Sequence, residues 1–272
     1  MRSSRQFNIG LGATWLVIGG FFFYFHFDNQ EESLERLGGS ARTPKYEMGA
    51  HRDEESPTQW YPSPTRIWSA DLLLYRLGPR TSQIAIYTVD DPNSTTTLHT
   101  SVNKGREAVP YLTYLVDNYN FLPSTIIFLH AHRKGYPEAW HNDAPNYDNV
   151  VALQTLNIKY IQENGYANLR CIGDPGCPGE VQPFRDPPEE HRTIEAAMPD
   201  AWQDLFGNTD VPHTLATPCC GQFAVSKSQV LKRPRSDYQK YLDWLLHTSL
   251  KDETSGRVFE YLWHIIFGQE PI

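Results

Sequence analysis

The stretch from Ser101 to His132 constrains this chain most, because a helical and a β period follow each other there with little between them. Val109, Leu112, Leu115, Val116 and Tyr119 recur at helical spacing, which predicts a helix over Glu107–Tyr119, with Pro110 tolerable in its first turn. Leu122-Pro123 ends it, and Ser124–Leu129 reads as a strand apolar on both faces. That strand delivers His130 and His132 to its carboxyl end, the edge where open α/β sheets bind ligands. Lys104, Gly105, Arg106 and Glu107 sit where the helix begins, and a helix N-terminus beside two cations favours an anion such as a diphosphate.

Other segments extend this alternation. Strands are expected at Gln83–Val89 and in the QFAV run ending at Val225, with a second short strand through Thr95–Val102. Helices are expected over Tyr147–Lys159, in pieces over Glu189–Phe206, at Ser228–Leu231 under a Ser226 cap, and over Ser236–Leu246 and Val258–Phe267. Strands interleaved with helices predict an α/β domain with a mixed, mostly parallel sheet.

The N-terminus reads differently. Phe7–Phe27 contains no Asp, Glu, Lys or Arg. About 20 apolar residues suffice for a membrane helix. Arg2 and Arg5 precede the run and acids follow it, which predicts a single-pass type II anchor with the remainder in the secretory pathway, in the endoplasmic reticulum or Golgi. No small-residue cleavage site follows the run, which favours an anchor over a signal peptide. The expected layout is a cytosolic tail at 1–6, an anchor at 7–27, a disordered stem at 28–65 and a lumenal domain at 66–272. Asn93-Ser94-Thr95 would then be a usable glycosylation site. The net charge of −8 argues against a nucleic-acid partner.

Several residues carry candidate chemistry. His130, His132 and His141, with Asp143 close by in sequence, offer mixed nitrogen and oxygen ligands suited to a divalent cation such as manganese. The competing reading is one buried and one exposed histidine. Asp90 and Asp91 follow a strand, where acids contact nucleosides in α/β folds, but Asp-Asp-Pro-Asn is also a turn. Glu260 and His264 fall at i, i+4 on one expected helix, as base and orienter or as packed neighbours. P-loop and dinucleotide motifs are absent, and so is G-x-S-x-G. Of four cysteines, Cys171 and Cys177 are expected to close a short loop, whereas the adjacent Cys219 and Cys220 are expected to pair elsewhere or stay free.

Asn103–Tyr119, Leu122-Pro123, Phe128–His132, Trp140–Asn142, Tyr166–Cys171, Cys220–Val225 and Glu260–His264 together resemble the fungal domain-of-unknown-function 3431 family, from about Ile84 to Gly268. More distantly, the G-R-E helix, the strand ending in polar ligands and the late G-Q-F-A-V strand look like GT-A-type glycosyltransferases. That resemblance implies a single GT-A-like domain moving a sugar from a nucleotide donor. Asp90 and Asp91 would hold the nucleoside, and Lys104, Arg106 and Glu107 the donor diphosphate. His130 and His132, with His141, would replace the usual D-x-D as metal ligands. Gln222 and Glu260 would face the acceptor, with Glu260 as general base and His264 beside it. The alternatives are a non-sugar transferase or tailoring enzyme of secondary metabolism, and a binding module without catalysis.

Overall fold

A computed structural model describes residues 14–19, 83–89, 98–130, 132–136 and 139–272. The expectations for Asp90, Asp91, the Asn93 sequon and the stem fall outside these residues.

The sheet has five strands in the order β2-β1-β3-β5-β4. They are β1 (Thr14–Gly19), β2 (Gln83–Ile86), β3 (Thr125–His130), β4 (Tyr166–Asn168) and β5 (Phe223–Ser226). β1 pairs in parallel with β2 and β3, while β5 runs antiparallel to both β3 and β4. The fold is therefore mixed α/β, with four strands in one direction and β5 reversed. Beyond the sheet, Thr88 makes an isolated parallel bridge with His99.

β1 is an inner strand, between β2 and β3, and six residues of the apolar run Phe7–Phe27 form it. The rest of that run lies outside the described residues. An unbroken apolar stretch suits either a membrane helix or a strand buried on both faces. In β1, Trp15–Ile18 pair with Gln83–Ile86 on one side and Ile126–Leu129 on the other. Among the described residues no helix is long and apolar enough to span a membrane. Alkaline carbonate extraction of membrane preparations distinguishes the two uses: release fits the strand, and retention in the pellet fits the membrane anchor.

Helix α1 (Ala108–Asn118) buries Ala108–Leu112 and Tyr114–Val116. It packs against β1 and against the later helix α6 (Arg235–His247). Pro110 costs α1 no hydrogen bond, since the first four N–H groups of a helix have no partner within it. β3 is buried along Thr125–Leu129 and opens only at His130.

The expected helix over Tyr147–Lys159 is two helices, α2 (Asn149–Gln154) and α3 (Ile158–Asn164). Asp148 caps the first and Asn157 the second, each side chain accepting a backbone N–H. The region expected to be helical in pieces before Phe206 contains one helix, α4 (Thr193–Phe206), with Pro199 inside it. Ser226 does cap α5 (Lys227–Val230): its hydroxyl accepts from Gln229 N at 3.2 Å.

The last expected helix divides. α7 (Asp252–Glu260) ends at Glu260, and α8 (Trp263–Ile266) begins after Tyr261-Leu262. The i, i+4 relation predicted for Glu260 and His264 is lost at this break. Under the sheet's carboxyl edge, Tyr111, Phe128, Phe223 and Trp263 form an aromatic cluster. Ring centroids lie 4.7 Å apart for Tyr111–Phe128, 4.8 Å for Phe128–Phe223 and 5.4 Å for Phe223–Trp263.

Candidate functional site

The chain runs from β1 to β2 on one side and returns to β3 on the other, so the sheet's order reverses at β1. Ligands in open α/β sheets bind outside the carboxyl ends at such a point. Gly19 and His130 are register partners there.

His130 is held from three sides. Its backbone N–H donates to Gln222 Oε1 at 2.7 Å, and Gln222 Nε2 donates to the His141 carbonyl at 3.0 Å. Gln222 is thus a buried clamp between β3 and the following loop, placed by the start of β5, and both ends of its amide are used in that clamp. His130 Nδ1 lies 3.2 Å from His141 Nδ1, so one ring donates and the other accepts. His130 Nε2 is buried without a hydrogen bond and lies 4.0 Å from Glu107 Oε2.

Burial lowers the proton affinity of His130 well below that of a free histidine, and His141, His132 and Arg106 lower it further. His141 is brought down to about 4, by burial first and then by His132 and Arg170. Glu107 moves the other way. Burial, then the charge of Glu260, push its carboxyl up to about 8. At neutral pH Glu107 and His130 are both neutral, so their contact is polar and not an ion pair.

Glu107 sits at the turn into α1, where Gly105 and Arg106 both take positive φ, 62° and 56°. Glycine suits position 105, since positive φ costs it little and an added Cβ would stand 2.4 Å from Leu245 Cδ1. α7 closes over this turn through Gly256, where an added Cβ would lie 3.0 Å from the Gly105 carbonyl oxygen. This packing brings Glu260, the last residue of α7, to the same site. Glu260 Oε1 accepts the Cys220 backbone N–H at 2.6 Å, and Oε2 lies 4.0 Å from Arg257 Nε. Burial raises its proton affinity, while the Cys220 N–H, Arg257 and Arg106 oppose the rise.

Cys219 and Cys220 form a disulfide with each other, contrary to the sequence expectation. Adjacent side chains in extended backbone point to opposite sides. Cys220 has φ 89°, which removes that alternation. Gly221 follows at φ 59°, and a Cβ there would stand 3.0 Å from Glu107 Oε1. Cys171 and Cys177 are both free, so the loop they were expected to close is held otherwise. Cys177 N donates to the Gly173 carbonyl at 2.7 Å, and Asp143 Oδ2 accepts the N–H groups of Cys171 and Ile172.

The remaining expected site residues are placed elsewhere or otherwise occupied. Lys104 Nζ donates to the Leu250 carbonyl at 2.6 Å and lies 3.3 Å from Asp252, so it ties the loop to the start of α7. Arg106 is exposed at the rim. His264 is buried on α8, with Nε2 3.4 Å from the Pro271 carbonyl, and burial lowers it to about 4. His132 is exposed, its ring centroid 6.4 Å from that of His141.

A family model described as "Protein of unknown function (DUF3431)" matches residues 68–272. The chain belongs to this family. No curated protein and no solved structure matches the chain. Within this DUF3431 domain the structure brings together Glu107, His130, His141 and Glu260, all singled out by the sequence, and adds the disulfide turn and Arg257, which the sequence did not single out. The Cys-Cys-Gly run before a predicted strand was the available signal for that turn. Nothing in the spacing of Arg257 marked it.

Proposed function

We propose that this protein is a group-transfer enzyme that uses Glu107 and Glu260 as an acid–base pair, and that it moves a sugar from a nucleotide donor. The observation carrying the reading is the pair of carboxyl groups, both raised in proton affinity, at the carboxyl edge of the sheet. Two titratable groups with different surroundings divide into acid and base. Glu107, beside a neutral imidazole, keeps its proton at neutral pH and serves as the acid. Glu260, with the Cys220 N–H and Arg257 stabilising its charge, serves as the base. Arg106 at the rim supplies positive charge for a diphosphate leaving group. The glycosyl part of the proposal rests on the resemblance to GT-A-type enzymes.

The three histidines do not fit a manganese ion as they stand. The Nδ1 atoms of His130 and His141 face each other. Among the described residues, one set of three ligand atoms converges, and it belongs to Cys219, Cys220 and Glu260. No step of the reaction is therefore assigned to manganese.

A thermal-shift measurement on the full chain tests the reading. UDP or GDP should raise Tm by several degrees at a hundredfold excess over Kd, where linkage supplies about 2.7 kcal/mol. Manganese should add nothing beyond the nucleotide. Indifference to every nucleotide would remove the sugar-donor reading, and a shift with another activated donor would favour a non-sugar transferase.

A further inference from the structure

The Cys219–Cys220 disulfide is buried, and its two sulfurs and a Glu260 carboxylate oxygen all lie within 4.8 Å of one another. Glu260 is held beside the sulfurs by the Cys220 N–H, which donates to its Oε1 at 2.6 Å. We propose that, once the disulfide is reduced, Cys219, Cys220 and Glu260 form a binding site for a thiophilic divalent cation such as zinc or cadmium. The proposal stands on this cluster alone and does not depend on the acid–base role of Glu260.

The chemistry favours such an ion. Two thiolates and one carboxylate are a ligand set that zinc accepts, with a fourth position left to water. They carry three negative charges, so a divalent cation leaves one, which Arg257, 4.0 Å from Glu260, balances. The turn is also well held: Cys219 N donates to the Pro175 carbonyl at 3.1 Å. At Gly176, next to Pro175, an added Cβ would meet the Thr217 carbonyl oxygen at 2.1 Å. The site is therefore gated by oxidation. As the disulfide, the sulfurs bond each other and Glu260 remains available. As the dithiol, they can take the cation together with that carboxylate.

The step balances with a trialkylphosphine as reductant. The S–S bond breaks, phosphorus is oxidised to the phosphine oxide with the oxygen of one water, and each sulfur takes one of that water's protons. Cation binding then displaces the thiol protons into solvent.

The test uses full-length protein carrying Cys171→Ser and Cys177→Ser, so that the free cysteines contribute nothing. Reduced protein titrated anaerobically with cadmium should bind one ion and show the ultraviolet thiolate-to-cadmium charge-transfer band. The oxidised form of the same protein should show no band, a comparison that needs no further variant. Adding Cys219→Ser and Cys220→Ser should abolish the band. Glu260→Gln should keep it while weakening affinity at least about tenfold, the lower range for losing even an outer partner of a metal ligand. A reduced protein without the band, or a band that survives loss of both cysteines, overturns the site. Unchanged affinity in Glu260→Gln overturns the carboxylate's part in it.

Discussion

Glu107→Gln should flatten the fall in stability between about pH 6.5 and 8 and remove most of the activity. The native Glu107 carboxyl titrates at about 8, against 4.5 for an ordinary glutamate. Between those values the folded protein holds a proton that the unfolded chain has released. The stabilisation is fully present below 4.5, declines as pH rises, and is gone above 8. The wild type should lose about 2 kcal/mol between pH 6.5 and 8, at about 1.4 kcal/mol per unit. Glu260 contributes in the same direction and would remain in the variant.

The histidines act on the other side of neutrality. His130, His141 and His264 are all lowered, so their contribution is present above about 6.5 and lost as pH falls, for His141 and His264 through about 4. Stability should therefore peak near pH 6.5 in the wild type. Urea unfolding at pH 6.5 and 8 measures the difference. An equal slope in wild type and Glu107→Gln would mean that Glu107 is ionised in the folded protein. As the proposed general acid, Glu107 should account for about 10²–10⁴-fold of the rate, read as kcat with the substrate once it is identified.

Phe223→Ala should cost about 3–5 kcal/mol, the usual range for removing a buried aromatic side chain. Phe223 is fully buried on β5 and meets Tyr111, Phe128, Tyr166, Trp263 and Phe267. It packs β5 against Tyr111 of α1 and Trp263 of α8 on one face of the sheet, and few neighbours can move into the space it leaves. A domain with about 5–15 kcal/mol in total would lose a large part of its stability. Gln222 and Gly221 directly precede Phe223, so the clamp on His130 and the backbone beside Glu107 should loosen with it. Phe121, 80% exposed, supplies the contrast: Phe121→Ala should stay within about 0.5 kcal/mol of wild type. Chemical denaturation of both variants checks the pair. Equal effects would mean that the aromatic cluster does not anchor β5.

Local pattern was enough for the segments that carry their own period and their own stops. The stripe over Glu107–Tyr119 became α1, Ser124–Leu129 became β3 with His130 as its last residue, and Ser226 capped α5. Segments interrupted by local caps were misjudged. Tyr147–Lys159 and Val258–Phe267 have helical spacing throughout, yet Asn157 starts a new helix within the first and the chain breaks after Glu260 in the second. A hydrophobic period reports which face is buried, and a short break in the backbone need not disturb it. For the apolar N-terminal run, composition fits both a bilayer and a strand buried within a sheet.

The sequence by itself determined the edge at which the candidate site lies, since the helix start at Glu107 and the strand end at His130 are local features. It also determined which residue types are available there. Tertiary structure alone decided their roles. Lys104 has the charge for a diphosphate, but α7 takes it as a tie. Glu107 and Glu260 stand far apart in sequence, and Gly105, Gly221 and Gly256 let the backbones approach until both carboxyls are buried together. Cys219 and Cys220 pair because positive φ at Cys220 turns the chain. Proton affinity, ion pairing and disulfide choice depend on what surrounds a group in space, and residues distant in sequence supply those surroundings.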